Sequence, residues 1–279
     1  MKGKLYLVAT PIGNLEDITM RAVRILQEVD CIAAEDTRHT LKLLNHLNIS
    51  KPLISYHRHN EEVRIEGLLT ELEKGKNIAV VSDAGTPAIS DPGEEIVKEC
   101  IQREIEIIPI PGPCALITGL IASGLSTKEF TFFGFLPLNK KTRAEKLKEI
   151  QEETHTVILY EAPHKLQTTL KDLESILGDR KLVLAKELTK IHENFFRGTV
   201  KEVQAMVPEP KGEYVILIEG ATKSIEDWSK LSIQEQYVMY QKQGLEKKEI
   251  IKQIAKNQKV PRNEIYKQFI TVEDTEEKA

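Results

Sequence analysis

The sequence predicts an α/β protein, and three observations carry that prediction. Short apolar, β-branched runs alternate with helix-length amphipathic segments from Leu5 to Ile110. Four of the runs end in loops of matching character, at Thr10 to Leu15, Glu35 to Arg38, Ser82 to Gly93 and Ile110 to Ala115. After Pro111-Gly112-Pro113 strand candidates resume at closer spacing, which predicts a second, mixed sheet. A chain of 279 residues with 41% apolar and 29% charged residues has material for two domains and a small appendage.

In the first half the strands are expected at Leu5 to Ala9, Cys31 to Ala34, Leu53 to Tyr56, Ile78 to Val81 and Ile105 to Ile110. Helices are expected between them. Thr19 to Val29 places Ala22, Val23, Leu26 and Val29 on one face, and the next runs through Leu41, Leu44 and Leu47. Glu61 to Glu73 spaces Val63, Ile65, Leu68, Leu69 and Leu72 helically before Gly75, a C-cap residue. Glu94 to Arg103 opens on acids in its first turn. Five strands with intervening helices mean a doubly wound sheet.

In the second half Ala115 to Ala122 is apolar and helical in pattern. Strands follow at Phe130 to Phe135, Thr156 to Tyr160, Leu182 to Lys186, Asn194 to Arg197 and Tyr214 to Ile218. Asn139 to Glu149 carries Lys140, Lys141, Arg143, Lys146 and Lys148, so a solvated basic helix or a flap is expected there. Thr222 to Ser232 reads as a linker. Helices are then expected at Ile233 to Gln243, Leu245 to Asn257 and Arg262 to Ile270, the last opened by Pro261. From Tyr240 to Lys267 eight basic residues stand against three acidic ones, which suits a helix-turn-helix-like unit on nucleic acid. The acidic residues after Thr271 should fray. The expected organisation is 1–113, 114–221 and 222–279.

A net charge of −4 advertises no global nucleic-acid field, so basic surface must be local. Cys31, Cys100 and Cys114 form no CxxC pair and predict a reducing, cytoplasmic setting. The apolar run after Met1 is too short for a signal core or a membrane span. No GxGxxG follows the first strand, and no GxxxxGK[ST], HExxH, Cys/His metal spacing or GxSxG occurs. No metal is expected.

The stretch from Ser82 to Gly93 is the centre of the chain's organisation. It lies between a strand and a helix, where ligands of open α/β sheets sit. It offers backbone groups, small side chains and the acids Asp83 and Asp91, with no Lys or Arg. A phosphate would need the opposite charge; a cationic ligand suits the loop. Glu35-Asp36-Thr37-Arg38 is either a helix cap with a surface ion pair or part of a site. His57-Arg58-His59 is either a solvated loop or a surface that meets an unstacked nucleotide. Lys186-Glu187-Leu188-Thr189-Lys190 with Glu193 is a charged turn or a catalytic group, and Cys114 suits a core position better than a nucleophile's.

Seven segments occur in order: Thr10 to Leu15, Ala34 to Arg38, Ser82 to Gly93, Pro111-Gly112-Pro113, Phe133-Gly134-Phe135-Leu136-Pro137, Tyr160-Glu161-Ala162-Pro163-His164 and Glu187-Leu188-Thr189-Lys190. Together they resemble the small-subunit (16S) ribosomal RNA methyltransferases of the tetrapyrrole-methylase-like superfamily, over Lys4 to Gly220. The resemblance implies two α/β domains of that type with a cleft between them and a helical C-terminal extension. It implies S-adenosylmethionine as cofactor, a homodimer, and 2′-O-methylation of a cytidine in 16S rRNA, within the small ribosomal subunit. It places Pro11, Gly13, Asp83, Gly85, Thr86, Pro87, Ile89, Cys114, Ala115, Tyr160 and Ala162 at the cofactor. Two places depart from the family pattern: Cys114 stands for Ser, and Ala162 and Lys165 stand for Ser and Arg.

A ribose hydroxyl must lose its proton to attack a methyl group, which calls for a base or a cation beside the alkoxide. Candidates are Glu187, Lys186 and Lys190 on one side and Asp36, Arg38 and His57 on the other. Arg38 and Lys190 are expected to orient the nucleotide, with Glu187 or Lys186 assisting deprotonation. Two rival readings are a tetrapyrrole methyltransferase and a ligand-sensing regulator that binds nucleic acid through its tail. Labelled cofactor offered to subunits and to porphyrinogens separates the first, and cofactor turnover separates the second.

Overall fold

The computed structural model describes residues 1–222, 231–242 and 245–266. They form two compact units, residues 1–220 and the residues from 221 onward.

The first sheet is built from β1 (Lys4–Val8), β2 (Cys31–Ala34), β3 (Leu53–Ser55), β4 (Ile78–Val81) and β5 (Glu106–Ile110). It is wholly parallel, in the order β3-β2-β4-β1-β5. Strands β2 and β4 are buried at every position, because a parallel sheet is covered on both faces. On one face Leu5, Cys31, Ala33, Ile78 and Val80 pack against Leu68, Leu69 and Leu72 of α3 (Glu61–Glu73) and Ile96 and Cys100 of α4 (Glu94–Gln102). On the other, Val8, Ile32, Ala34, Ala79 and Val81 meet Ala22, Ile25 and Leu26 of α1 (Met20–Glu28) and Leu44 of α2 (Thr37–His46). The doubly wound prediction holds, and Cys31 and Cys100 are buried free thiols.

The second sheet contains β6 (Phe130–Phe135), β7 (Thr156–Glu161), β8 (Lys181–Lys186), β9 (Asn194–Thr199) and β10 (Tyr214–Ile218), ordered β6-β7-β10-β8-β9. Only the β6–β7 pair is parallel, so the sheet is mixed as expected. Leu116 and Leu120 of α5 (Ala115–Ser123) cover one face against Ile158, Val183, Val215 and Leu217. The other face carries α6 (Lys140–Glu152), α7 (Pro163–Leu177) and α8 (Val200–Met206), through Ile150, Leu166, Leu170, Leu173, Val200 and Val203.

Two helices escape the sequence reading, although both carry signals. In α7, Pro163 opens the first turn, and Leu166, Leu170, Leu173 and Leu177 recur at helical spacing. In α8, Thr199 and Glu202 form a capping box. The basic segment from Asn139 to Glu149 is a packed helix, not a flap, since Leu147 and Ile150 are buried.

In the second unit, α9 (Ile233–Lys242) and α10 (Lys247–Gln258) pack with the turn that begins after Pro261 around Ile250, Ile251, Ile254, Ala255 and Ile265. Lys248, Lys252 and Lys256 face solvent on α10. Most of the expected linker, residues 267–270 of the expected third helix, and the acidic end lie outside the described residues. Among the described residues no helix is long and apolar enough to cross a membrane.

Candidate active site

The loops after β1, β4 and β5 are tied together at the carboxyl edge of the first sheet. Thr10 and Gly85 exchange backbone hydrogen bonds, N to O, at 2.8 and 3.0 Å. The Thr10 hydroxyl donates to the Ser82 carbonyl at 3.2 Å, and the Thr86 hydroxyl donates to the Pro113 carbonyl at 3.1 Å. Gly85 has φ +86°, and a Cβ there would stand 3.3 Å from Ile12 Cγ2, so this crossing needs glycine.

Loops of the second sheet close on these. The Asn14 amide donates to the Thr189 hydroxyl at 3.1 Å, and a Cβ on Gly13 would come within 2.4 Å of Lys190 Cγ. Ile12 joins Leu188, Leu116 and Val215 in one apolar cluster. The Leu116 amide, in the first turn of α5, donates to the Tyr160 hydroxyl at 3.1 Å. Ala88, Ser90, Glu187 and Thr189 all have φ between +51° and +67°. That left-handed backbone is costly for residues with a Cβ, most of all for β-branched Thr189.

Between the loops lies a cavity of about 450 Å³, within the range of small-molecule sites. Asp83, Gly85, Thr86, Ile89, Cys114, Ala115, Tyr160 and Ala162, all among the residues the resemblance places at the cofactor, line it. Pro11, Gly13 and Pro87 are not on the wall, though each adjoins a lining residue, Ile12 or Thr86, along the chain. Ile12, Glu35, Ser90, Asp91, Phe135, Glu161, Leu188, Glu213 and Tyr214 also line it. Glu35, Asp91, Phe135, Glu161 and Leu188 lie inside quoted motifs, so proximity to those motifs was the available signal; Glu213 and Tyr214 carried none.

The wall holds five carboxylates, Glu35, Asp83, Asp91, Glu161 and Glu213, and no Lys or Arg. Burial raises the Glu35 carboxyl; the Asp83 amide that donates to it works against the rise, and the Asp83 charge adds to it. Burial, then the charge of Glu35, pushes Asp91 up to about 7. Glu161 is 4% exposed. It accepts from the Ala162 amide at 2.9 Å and from the Thr169 hydroxyl at 2.5 Å. Thr169 in turn accepts from Arg143 at 2.9 Å, and Arg143 is paired with Asp172 at 2.8 Å. Arg143 is therefore a half-buried support of the cavity wall, not part of a solvated basic face.

The expected catalytic residues fall outside the wall. Lys190 sits beside it, its ammonium 2.9 Å from both Glu187 and Glu213. Glu187 also accepts from the Glu213 amide at 2.9 Å. Burial works to raise its carboxyl, but that amide and Lys190 outweigh it and hold it below the ordinary value. A carboxylate so held is a weak proton acceptor and a good anchor for Lys190. Lys186 ends β8 and is half-buried. Asp36 caps α2 and pairs with exposed Arg38 at 2.8 Å, and Arg38, mainly through that hydrogen bond, holds the Asp36 carboxyl far below its usual range. The backbone of Asp36 reaches the wall by donating to Asp83 at 2.9 Å. His57 donates its amide to Asn60 at 2.8 Å, and its ring meets His59 edge-on at 6.1 Å. Among the described residues no group of His, Cys, Asp and Glu could hold a metal.

A doubly wound sheet, a mixed sheet and an acid-lined cavity at their loops define a class, the tetrapyrrole-methylase fold. The family model for Tetrapyrrole (Corrin/Porphyrin) Methylases matches residues 4–204. A uroporphyrin-III C-methyltransferase from Thermus thermophilus, solved with S-adenosyl homocysteine, shares the fold at a TM-score of 0.56 and 18% identity, over 78% of this chain and 97% of that one. The particular branch follows from closer relatives. The ribosomal RNA small subunit methyltransferase I of Synechocystis sp. is 50% identical over 97% of this chain and 99% of its own length. That of Halalkalibacterium halodurans is 50% identical over 95% of this chain and 94% of its own. The chain belongs to this methyltransferase family.

Proposed function

We propose that the protein transfers a methyl group from S-adenosylmethionine to the 2′-hydroxyl of a cytidine in 16S rRNA, acting in the cytoplasm as a homodimer on the small ribosomal subunit. The observation that carries the reading is the cavity wall: five carboxylates, backbone groups and no basic side chain. That donor set suits a sulfonium and an ammonium and repels a polyphosphate. The cofactor supplies an electrophilic methyl group when bound. Gly85, Thr86, Ile89, Cys114, Ala115, Tyr160 and Ala162 hold it, Asp83 adds negative charge, and Pro11, Gly13 and Pro87 shape the adjoining loops. In this reading 1–113 and 114–221 act as two domains and 222–279 as the extension.

The protein's part in such an in-line displacement is alignment. Arg38 and Lys190 orient the nucleotide, with Asp36 and Glu187 fixing those two cations, while Lys186 and His57 border the ribose. Incubation of the protein and labelled S-adenosylmethionine with small subunits and with porphyrinogens tests this. Label in the rRNA is expected; label only in the macrocycle would overturn the reading.

Glu187→Ala releases Lys190 from one of its two carboxylates. Methylation is expected to fall at least about tenfold, in the range found for lost positioning groups, with S-adenosyl homocysteine affinity unchanged. Unchanged methylation would remove the Glu187–Lys190 pair from the reaction.

RNA affinity is assigned to the exposed basic face of α10. Replacing Lys248, Lys252 and Lys256 by Glu should weaken rRNA binding and reduce the slope of log K against log salt by about 2. Cofactor affinity should stay as it is. A salt slope equal to that of the wild type would assign the helix another task.

A further inference from the structure

Resting on the methyl-transfer reading above, we propose that Phe135 is the surface on which the target base stacks once it has left its RNA strand. The starting point is a register shift. Strand β6 reads Phe130-Thr131-Phe132-Phe133-Gly134-Phe135, and strict alternation would put Phe133 and Phe135 on one face. Its pairing with β7 shifts between Phe132 and Gly134, where the backbone turns left-handed at φ +64°. Phe132 then stands opposite Ile158 and Phe135 opposite Tyr160, both in the cluster covered by α5. Phe133 packs into the core on the other face, with the Lys146 ammonium 5.0 Å from its ring centre. The bulge thus re-aims one ring from the core to the cavity.

The ring so placed is fixed but uncovered. It meets the Tyr160 ring edge-on at 5.7 Å, and Phe132 meets the same ring at 4.9 Å. Tyr160 is itself held, its hydroxyl accepting from the Leu116 amide. A Cβ on Gly134 would stand 3.2 Å from the Ser90 Oγ, so the loop after β4 backs directly onto the bulge. Of the three aromatic side chains on the cavity wall, Tyr214 is buried, Tyr160 half-buried and Phe135 54% exposed. None of the residues that the resemblance places at the cofactor lies on β6.

Charge decides how a nucleotide reaches that ring. Five carboxylates on the wall repel RNA phosphates, so the nucleotide enters by its ribose and base with its phosphates left outside. Arg58, which donates to the Ser90 carbonyl from the loop after β3, puts a cation beside the bulge for them. The base gives up its neighbours in the strand, and an uncharged aromatic surface replaces them. Phe135 offers that surface where the cavity opens.

Methylation of small subunits at varied subunit concentration tests this. Phe135→Leu keeps an apolar side chain and removes the ring. Its kcat/KM should fall about 5- to 150-fold, the change that corresponds to about 1–3 kcal/mol for one base stacked on an aromatic ring. Phe135→Tyr keeps the ring and should stay within about threefold of wild type. S-adenosyl homocysteine affinity should be the same in all three proteins, which also shows that the variants are folded. Subunits reconstituted with rRNA lacking only the base at the target nucleotide supply a readout that a structural role would not move. On those subunits wild type and Phe135→Leu should act alike. A Leu variant within about twofold of wild type on intact subunits, or an equal loss on intact and abasic subunits, overturns the inference alone. A loss of S-adenosyl homocysteine affinity that matches the loss of kcat/KM assigns the ring to the cofactor's adenine and overturns it as well. Wild type that leaves rRNA unlabelled overturns the functional reading, and the stacking role with it.

Discussion

Gly85→Val is expected to weaken S-adenosyl homocysteine binding at least tenfold. The expectation starts from the backbone: at φ +86° a side chain is strained whatever space it finds, by roughly 1–2 kcal/mol for a left-handed L residue. The β-branch adds to this, because the first carbon already sits 3.3 Å from Ile12 Cγ2. Rotation away would break the two backbone bonds with Thr10, worth about 0.5–1.5 kcal/mol each. Either response moves Thr86 and Ile89 on the cavity wall, and each 1.4 kcal/mol of it is about tenfold in affinity. Gly85→Ala, lacking the branch, should fall between the variant and wild type. A Val variant that binds as tightly as wild type would remove this loop from the binding surface.

Thr169→Val should destabilise the protein by about 1–3 kcal/mol, more if the charges on either side find no water. The substitution conserves shape and deletes one hydroxyl, which is fully buried. That hydroxyl donates to Glu161 and accepts from Arg143, so its loss strands a carboxylate oxygen and a guanidinium N–H together. At about 2–4 °C per kcal/mol for a domain of this size, the fall in Tm is readily measured. Because Glu161 also fixes the Ala162 amide, cofactor affinity should decline with stability, and Thr169→Ser should restore both. A Val variant with wild-type Tm would show that Arg143 and Glu161 do not depend on one another through Thr169.

The strands were legible because their signal is local. Cys31 to Ala34, Ile78 to Val81 and Tyr214 to Ile218 are apolar at every position, which only strands covered on both sides require. The loops were legible for the same reason, since glycine and proline punctuate them whatever lies opposite. Helix α7 was missed beside a loop motif, although its leucines recur at helical spacing.

What the sequence by itself determined is the pair of sheets, the loops at their edges and the sign of charge that those loops favour. Tertiary structure alone decided which acids face the cavity and what each can do there. Asp36 and Asp91 are the same residue type at similar strand-end loops, yet Arg38 holds one far below the usual carboxylate range and burial lifts the other to about 7. Arg143, one of five bases in a helix that looks solvated in sequence, is committed to Asp172 and Thr169 from a helix 26 to 29 residues away. A residue's backbone preference is set by its neighbours along the chain. Its charge state is set by what lies against it once folded: for Asp36 a guanidinium two residues along the chain, for Asp91 burial and the Glu35 carboxylate, which no local pattern connects to it.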